Sequence, residues 1–321
     1  MNWKDEYIKM LGTPKISELK IEAAQSLKIR NLPTYLYKYR PFNNFSTDNL
    51  LNDTVWLNIP SDYNDPFEAM EFLDFDRINN ALNGQMKEEI ISTIVENHPV
   101  PENIIELARK SNNPINVIGE YQLKTYDGLD DSKIQGILDV LNNSLKKLVI
   151  GRHVEKIKNI QDTMKVCSFC ESNQQLLMWS HYADSHKGFC VEYDISQWRP
   201  DDKRKRILYP VVYQDYFYDS TEHLISQIEN KEFNNLYPLI SCATKSKEWE
   251  YEQEWRFIFN IGDSFKKQNY PMNCQTKVFL GNRMTESGQK EIIEICKAKN
   301  LTAYKAHPST EKYGLEFEQI N

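Results

Sequence analysis

Two carboxylates and one guanidinium, those of Glu252, Glu254 and Arg256, alternate with other residues late in the chain. Because the side chains of an extended strand point alternately to its two faces, these charged groups are predicted to share one face. Trp255 and Phe257 fall on the opposite face, where they suit a core. Neighbours on one face lie roughly 7 Å apart, so Arg256 can orient Glu254 and keep it ionised against a ligand. The alternative is a solvated edge strand whose ion pair contributes little to stability.

Further polar residues are predicted at strand ends and at corners between strands and helices. Binding and catalytic residues concentrate at such positions, which a rigid scaffold can hold in place. If the fold brings them together, these residues form one binding site with the charged strand: Tyr39, Arg40, Asn64, Asp65, Ser168, His181 and Tyr182. For Asn64 and Asp65 the sequence also allows a plain Asx turn before a helix.

A sheet is needed to position these residues, and the sequence predicts its strands. Runs rich in aromatic and β-branched residues indicate strands over about 34–40, 55–59, 164–170, 189–193 and 252–259, with further strands near the end of the chain. An amphipathic helix is predicted over 286–299. The predicted fold class is therefore α+β, with a mixed and mostly antiparallel sheet core.

Helices are predicted to flank and interrupt this sheet. Apolar residues at helical spacing fill 76–164, and the stripe that includes Leu138, Leu141, Leu148 and Val154 is predicted to be core. The predicted division of the chain is N-terminal helices over 1–33, an α+β core over 34–75 and 165–321, and a helical insertion over 76–164.

Composition narrows the classes of function. A formal net charge of −7 over 321 residues argues against a broad surface for duplex DNA, but allows a local groove for a nucleotide or a single strand. The sequence begins without a secretory signal, no apolar run reaches the length of a membrane span, and the six cysteines are dispersed. These features predict a soluble protein of the reducing cytoplasm.

No metal site is predicted. Cys167 and Cys170 have C-x-x-C spacing, but no second pair follows at the distance of a zinc ribbon. His181 and His186 are five residues apart, so they do not share a helix face. The sequence also lacks a phosphate-binding loop and a glycine-rich dinucleotide fingerprint.

Four motifs, spread over about residues 35–282, resemble the bacterial family known as domain of unknown function 2971. They are Leu36–Arg40, Asn64–Glu68, Met178–Asp184 followed by His186–Phe189, and Glu252-x-Glu254-Trp255-Arg256. The order of these motifs along the chain is fairly specific. This resemblance implies no established activity.

A more distant resemblance, to the ADP-ribosyltransferases, concerns mechanism. In both, an early strand carries an Arg or His, a central strand carries a Ser before a helix with a Tyr, and a late strand carries a Glu. The resemblance implies an ADP-ribosyltransferase-like sheet core and NAD as the substrate. It assigns the binding of NAD to Arg40, the nicotinamide pocket to Ser168 or Tyr182, and the stabilisation of an oxocarbenium-like transition state to Glu254. Glu252 and Glu254 also resemble the E-x-E signature of arginine-modifying members.

The chemistry that the resemblance implies is physically consistent with these side chains. Breaking the bond between nicotinamide and ribose develops positive charge, and a fixed carboxylate stabilises that charge more in the transition state than in the ground state. Tyrosine rings can stack on nicotinamide or adenine. The early motif, with Tyr39 and Arg40 in place of a His-Thr pair, and the long helical insertion depart from the superfamily.

The preferred function is NAD-dependent transfer of ADP-ribose to a protein or nucleic acid, or NAD cleavage, in a toxin or phage-defence effector. Catalysis is assigned to Glu254, Glu252 and Arg256, and binding of NAD or a related nucleotide to the polar residues at the strand ends. One alternative is a ligand-sensing or interaction module without turnover. Another is a metal-dependent nuclease or hydrolase that uses Asp65, Glu252, Glu254 and His181.

Overall fold

The computed structural model describes residues 2–85, 87–97, 99–229, 234–260 and 269–321. Within these residues the strands are β1 (Tyr35–Arg40), β2 (Thr54–Trp56), β3 (Glu71–Phe72), β4 (Met164–Cys170), β5 (Phe189–Asp194), β6 (Leu208–Pro210), β7 (Val212–Gln214), β8 (Tyr218–Asp219), β9 (Thr244–Ser246), β10 (Glu254–Asn260), β11 (Asn269–Pro271), β12 (Gln275–Leu280), β13 (Thr302–Pro308) and β14 (Leu315–Gln319). Four short 3₁₀ helices occupy Ile16–Glu18, Pro60–Asp62, Ile195–Gln197 and Lys247–Glu252.

Eight of these strands form the main sheet, in the order β14-β13-β12-β5-β1-β4-β10-β6. Its neighbouring strands are antiparallel except β12 and β13, which are parallel. The α+β class and the mixed, mostly antiparallel sheet are thus confirmed. Three two-stranded pairs, β2 with β11, β3 with β8 and β7 with β9, surround it.

The helices of the described residues are α1 (Trp3–Leu11), α2 (Ile21–Arg30), α3 (Asn44–Leu51), α4 (Phe75–Gln85), α5 (Lys87–Asn97), α6 (Glu102–Lys110), α7 (Pro114–Leu123), α8 (Asp131–Thr163), α9 (Leu176–Tyr182), α10 (Lys203–Ile207), α11 (Thr221–Ile228), α12 (Tyr237–Cys242) and α13 (Glu286–Lys299). Helices α4 to α8 follow one another between β3 and β4, as predicted for 76–164. Among the helices the structure describes, none is both long and apolar enough to cross a membrane.

The bounds of helices and strands with strong local sequence patterns were predicted accurately. The strand over 164–170 and the helix over 286–299 occur as predicted. The strand predicted over 55–59 is shorter, because β2 ends at Trp56 and only Asn58 makes a further bridge, to Val166. The proline at 60 then starts a 3₁₀ helix, for which its fixed φ is suited.

The prediction of an edge strand around Arg256 is wrong. Strand β10 lies between β4 and β6, and Arg256 itself is fully buried. The aromatic face packs on the core with Trp255 and Phe257, as predicted, but the charged face is covered as well. The alternation of residues identifies two faces of a strand and cannot show that both are covered, because the covering groups come from distant segments.

The apolar stripe predicted over 76–164 is only partly core. Leu138 is buried, whereas Leu141, Leu148 and Val154 are exposed on the same helix. Helix α8 is 33 residues long, and one of its sides packs against neighbouring helices while another is exposed. The helical spacing of apolar residues can identify the apolar side of a helix, but it does not show whether another helix or strand packs against that side.

Leu138→Asp is expected to lower the free energy of unfolding by several kcal/mol, since it places an unpaired charge in a buried position. Urea unfolding followed by circular dichroism would measure this loss. Lys146→Ala is the matched control on the same helix, because the Lys146 ammonium lies at the surface in an exposed ion pair with Asp76. An unchanged stability of Leu138→Asp would show that this side of α8 is not core.

Candidate functional site

A cavity of about 430 Å³ is lined by residues of β1, β4 and β10. These strands are neighbours, although about 120 residues separate β1 from β4 in the chain. The adjacency brings together on the cavity wall eight of the residues predicted from sequence: Tyr39, Arg40, Asn64, Ser168, His181, Tyr182, Glu252 and Glu254. Of the predicted set, Asp65 and Arg256 do not line the cavity.

Glu254 is fixed at the start of β10 from two sides. Its Oε2 lies 2.9 Å from Nη2 of Arg256 and 3.5 Å from Nζ of Lys245, and its main-chain N–H donates to the Tyr213 hydroxyl at 2.8 Å. Burial opposes ionisation, but the Arg256 guanidinium and the Lys245 ammonium outweigh it and lower the pKa of Glu254 to about 2. The carboxylate is therefore ionised at neutral pH and held in one orientation.

Glu252 reaches the cavity in a way that the strand pattern did not predict. It ends the 3₁₀ helix Lys247–Glu252 instead of lying on the strand, and Gln253 follows with a left-handed φ of 46°. The Glu252 carboxylate accepts a bond from the Tyr182 hydroxyl at 2.7 Å and lies 2.5 Å from Nζ of Lys245. Burial, together with repulsion from Glu254, raises the pKa of Glu252 above its usual value. Two neighbouring carboxylates thus differ in proton affinity, which suits one as a charge and the other as a base.

Arg256 supports the site from behind. Its guanidinium contacts both oxygens of Glu68, Oε2 of Glu254 and the main-chain oxygen of Cys242. Together with Lys245 it supplies two cations to three buried carboxylates, those of Glu68, Glu252 and Glu254. The prediction that Arg256 orients Glu254 is confirmed, but a guanidinium outside the cavity has no direct contact with a ligand there.

Lys38 and Arg40 also line the cavity. Arg40 is 6 % exposed; its Nη1 donates to Oδ1 of Asn49 at 3.0 Å, while its Nη2 has no hydrogen-bond partner among the described residues. Lys38, on the same face of β1, donates from Nζ to the main-chain oxygen of Ser168 at 2.7 Å. Burial lowers the pKa of Lys38. Buried donors without a partner are uncommon in folded proteins, so this guanidinium is only partly satisfied by the described residues.

Aromatic rings form much of the remaining wall. Tyr37, Tyr39, Tyr63 and Tyr182 line the cavity. The Tyr63 hydroxyl lies 3.3 Å from Oγ of Ser168, and burial raises the pKa of the Tyr63 phenol well above its usual value. These rings stay neutral and offer flat faces for stacking.

Two further predicted residues, His181 and Asp65, differ in their positions relative to the cavity. His181 lines the cavity but is exposed, so it lies at the rim. Oδ1 of Asp65 accepts a bond from the main-chain N–H of Phe67 at 2.9 Å, which is the Asx turn that the sequence allowed. Asp65 does not line the cavity, whereas Oδ1 of the neighbouring Asn64 lies 3.5 Å from the Tyr182 hydroxyl.

Sequence reasoning missed Lys38, Lys245 and Glu68. The sequence could have indicated Lys38, because it lies two residues before Arg40 on the same face of a strand. It could also have indicated Glu68, which is the last residue of the motif Asn64–Glu68. Lys245 had none, because its approach to Glu252 depends on β9, which pairs with β7 outside the main sheet.

The motif around Gly188 has a structural role beside the cavity. Asp184, Ser185 and His186 all have left-handed φ values of 46°, 53° and 67°, which turn the chain sharply after α9. A Cβ on Gly188 would lie 2.0 Å from the main-chain oxygen of Arg40. Glycine is therefore needed for β5 to start against the end of β1, and this contact holds the strand end that carries Arg40.

No cluster of three or more His, Cys, Asp or Glu side chains arranged to hold a metal ion occurs among the described residues. The thiols of Cys167 and Cys170 are free and buried. Among the residues of the alternative hydrolase site, Asp65 does not line the cavity and His181 lines it from an exposed position.

Residues 178–257 match a family model described as protein of unknown function (DUF2971). The matched stretch runs from α9 to β10 and contains Tyr182, Lys245, Glu252 and Glu254. The match supports the resemblance to this family over these residues. Neither a curated protein nor a solved structure matches the chain.

Proposed function

We propose that the cavity binds NAD and that the protein cleaves the bond between nicotinamide and ribose, transferring ADP-ribose to a macromolecule or to water. The observation that supports this proposal is the adjacency of β1, β4 and β10, which places Arg40, Ser168 and Glu254 on one cavity wall. The resemblance to ADP-ribosyltransferases requires these three roles to meet. An ADP-ribosyltransferase-like core is part of the same proposal.

The distribution of charge in the cavity suits a dinucleotide. Arg40 and Lys38, which line the cavity, would bind the pyrophosphate through charge-assisted hydrogen bonds. Glu254, which lines the same cavity, would face the nicotinamide ribose, with the tyrosine rings available to stack on nicotinamide. The ligand carries both an anionic pyrophosphate and a cationic nicotinamide, and the cavity is lined by both cations and carboxylates.

In the proposed reaction the bond between C1 of the ribose and N1 of nicotinamide breaks, and its electron pair leaves with nicotinamide. The positive charge that develops on the ribose is stabilised by the ionised Glu254, whose orientation Arg256 and Lys245 fix before the reaction. A hydroxyl, amine or water then bonds to C1, and its proton passes to Glu252. Glu252 suits this step, because its pKa is raised. Such an activity fits a toxin or a phage-defence effector.

A ligand-sensing module is the second candidate, and one observation favours it. The charge of Glu254 is already compensated by Arg256 and Lys245, so a bound cation would gain less from it than from a free carboxylate. The sensor binds NAD or a related nucleotide in the same cavity but releases no nicotinamide. Turnover therefore distinguishes the two functions.

The test uses NAD labelled separately in nicotinamide and in adenine, incubated with purified protein and a cell lysate. Protein, DNA, RNA and small molecules are then separated. We expect free nicotinamide together with adenine label on one class of macromolecule or in free ADP-ribose. Binding of NAD without release of nicotinamide would support the sensor, and absence of NAD binding would exclude the proposed reaction and an NAD sensor.

Arg40→Lys is expected to weaken NAD binding by about tenfold or more, since lysine keeps the charge but loses the planar fork that binds two oxygens at once. Isothermal calorimetry measures the affinity, and thermal unfolding checks the fold. Arg199→Lys is the matched control, because the Arg199 side chain is exposed and pairs only with Asp201 at the surface. Equal affinity of Arg40→Lys and wild type would remove Arg40 from the binding site.

A further inference from the structure

Helix α8 carries a second apolar stripe, and it faces outward. Ile137, Val140, Leu141 and Leu148 are 43 %, 67 %, 39 % and 64 % exposed. At 3.6 residues per turn, positions 137, 141, 144 and 148 project from one side of the helix, with 140 beside them. The packed side of the same helix carries Ile134 and Leu138, which are buried. The described residues of one chain therefore leave this stripe uncovered.

The surface around the stripe has room for another helix. A shallow apolar groove runs beside it, lined by Leu129, Lys133, Gly136, Ile137 and Val140. No other atom lies within 4 Å of the Cβ position at Gly136 or at Gly151, so a facing side chain can approach both. Ser144, at the middle of the stripe, is also small. Exposed apolar patches with such complementary space are typical of protein–protein interfaces.

We propose that two copies of the chain associate through this stripe, with their α8 helices antiparallel about a two-fold axis at Ser144. A two-fold axis there places residue 144 + n of one copy opposite residue 144 − n of the other. Val140 then packs on Leu148 of the second copy, and Ile137 lies over its Gly151. Each of these contacts occurs twice.

Charged residues at the two ends of the stripe favour a second copy of the chain as the partner, with its α8 antiparallel. Lys133 lies at the start of the stripe and Glu155 at its end, and both are exposed; within the chain the Lys133 ammonium makes only a solvent-exposed ion pair with Asp130 among the described residues, and it donates to the main-chain oxygen of Gly128. In the antiparallel pair each Lys133 meets Glu155 of the second copy, whereas a parallel pair would bring like charges together. Charges at the flanks of paired helices set orientation and partner choice in this way. The stripe thus complements its own reversed copy.

The proposed surface lies on the helical segment and involves none of the cavity residues. The outcome of its test is therefore independent of the reaction proposed for the cavity. A chain that dimerises without cleaving NAD, or cleaves NAD as a monomer, separates the two proposals.

The first test is the mass in solution, measured by sedimentation velocity over a range of concentrations. We expect a dimer for the wild type and a folded monomer for Leu148→Asp, whose circular dichroism spectrum should be unchanged because Leu148 is exposed within one chain. Leu107→Asp is the matched control, since Leu107 is 54 % exposed on α6, away from the stripe, and this variant should remain dimeric. A monomeric wild type at all concentrations, or a dimeric Leu148→Asp, would overturn the proposal.

The second test addresses the antiparallel register. Lys133→Glu and Glu155→Lys should each weaken the dimer at low salt by placing like charges opposite one another, and the double variant should restore it. Ser144→Cys should give a covalent dimer on a non-reducing gel, because the two thiols meet at the axis while the native cysteines are buried. Failure of the double variant to restore the dimer, or of Ser144→Cys to cross-link, would overturn this register.

Discussion

Glu254→Gln is expected to slow nicotinamide release at least about a hundredfold, the scale of losing one fixed electrostatic contact in a transition state. Glutamine keeps the size and one hydrogen-bond acceptor of Glu254 but removes the charge that would face the oxocarbenium ion. The affinity for NAD should change little, because the ground state carries less positive charge at the ribose. Release of nicotinamide by purified protein with a lysate measures the effect.

The fold should tolerate this substitution, because of the charge balance of the buried cluster. Wild type has two cations and three carboxylates there, so Glu254→Gln leaves Arg256 paired with Glu68 and Lys245 paired with Glu252. Glu291→Gln, on the exposed side of α13, serves as the matched control. Glu252→Gln should reduce acceptor transfer more than NAD cleavage. Wild-type release by Glu254→Gln, in a folded protein, would contradict the mechanism.

Arg256→Met is expected to lower the free energy of unfolding by about 3–5 kcal/mol, the usual loss when one partner of a buried ion pair is removed. Methionine fills part of the volume, but Glu68 loses its guanidinium and Glu254 keeps only the more distant Lys245. Urea unfolding measures the loss. Arg199→Met removes an exposed ion pair instead and should change stability by less than about 1 kcal/mol.

The loss in Arg256→Met should depend on pH in a direction that follows from the pKa of Glu254. In wild type that pKa is lowered from 4.5 to about 2, so its contribution to stability is complete above pH 4.5 and disappears as the pH falls toward 2. Protonation removes the buried charges that the variant leaves without their guanidinium. The difference in stability between wild type and variant should therefore shrink below pH 4.5. A constant difference down to pH 2.5 would show that Glu254 does not depend on Arg256 for its charge.

Local sequence patterns predicted much of the secondary structure. They could not predict which distant segments pack against each strand or helix. Strand β4 and helix α13 followed from periodicity and composition alone. The interior position of β10 did not, because its neighbours β4 and β6 come from other parts of the chain. The same limit applies to α8, where the apolar spacing continues across the buried Leu138 and the exposed Leu148.

Site residues could be predicted from the sequence where a polar side chain lies at or near the end of a predicted strand. Arg40 and Ser168 were found in this way, and the sheet brings them to one cavity. Glu252 was placed on the strand, although a left-handed residue at Gln253 separates it from β10. Asp65 was predicted because it lies at a corner between a strand and a helix, but it does not line the cavity, and its Oδ1 accepts a bond from the main-chain N–H of Phe67.

The order of the cavity strands has a consequence for how the protein is made on the ribosome. Strand β1 is synthesised first, yet its partner β4 follows only after α8, and the wall with Glu254 comes later still. Pairings of such long sequence separation form slowly, because the intervening chain must be closed into a loop. A nascent chain that has not yet reached β10 holds Arg40 and Ser168 but lacks both glutamates. Under the proposed mechanism, a growing chain therefore cannot cleave NAD until the residues up to β10 have been synthesised.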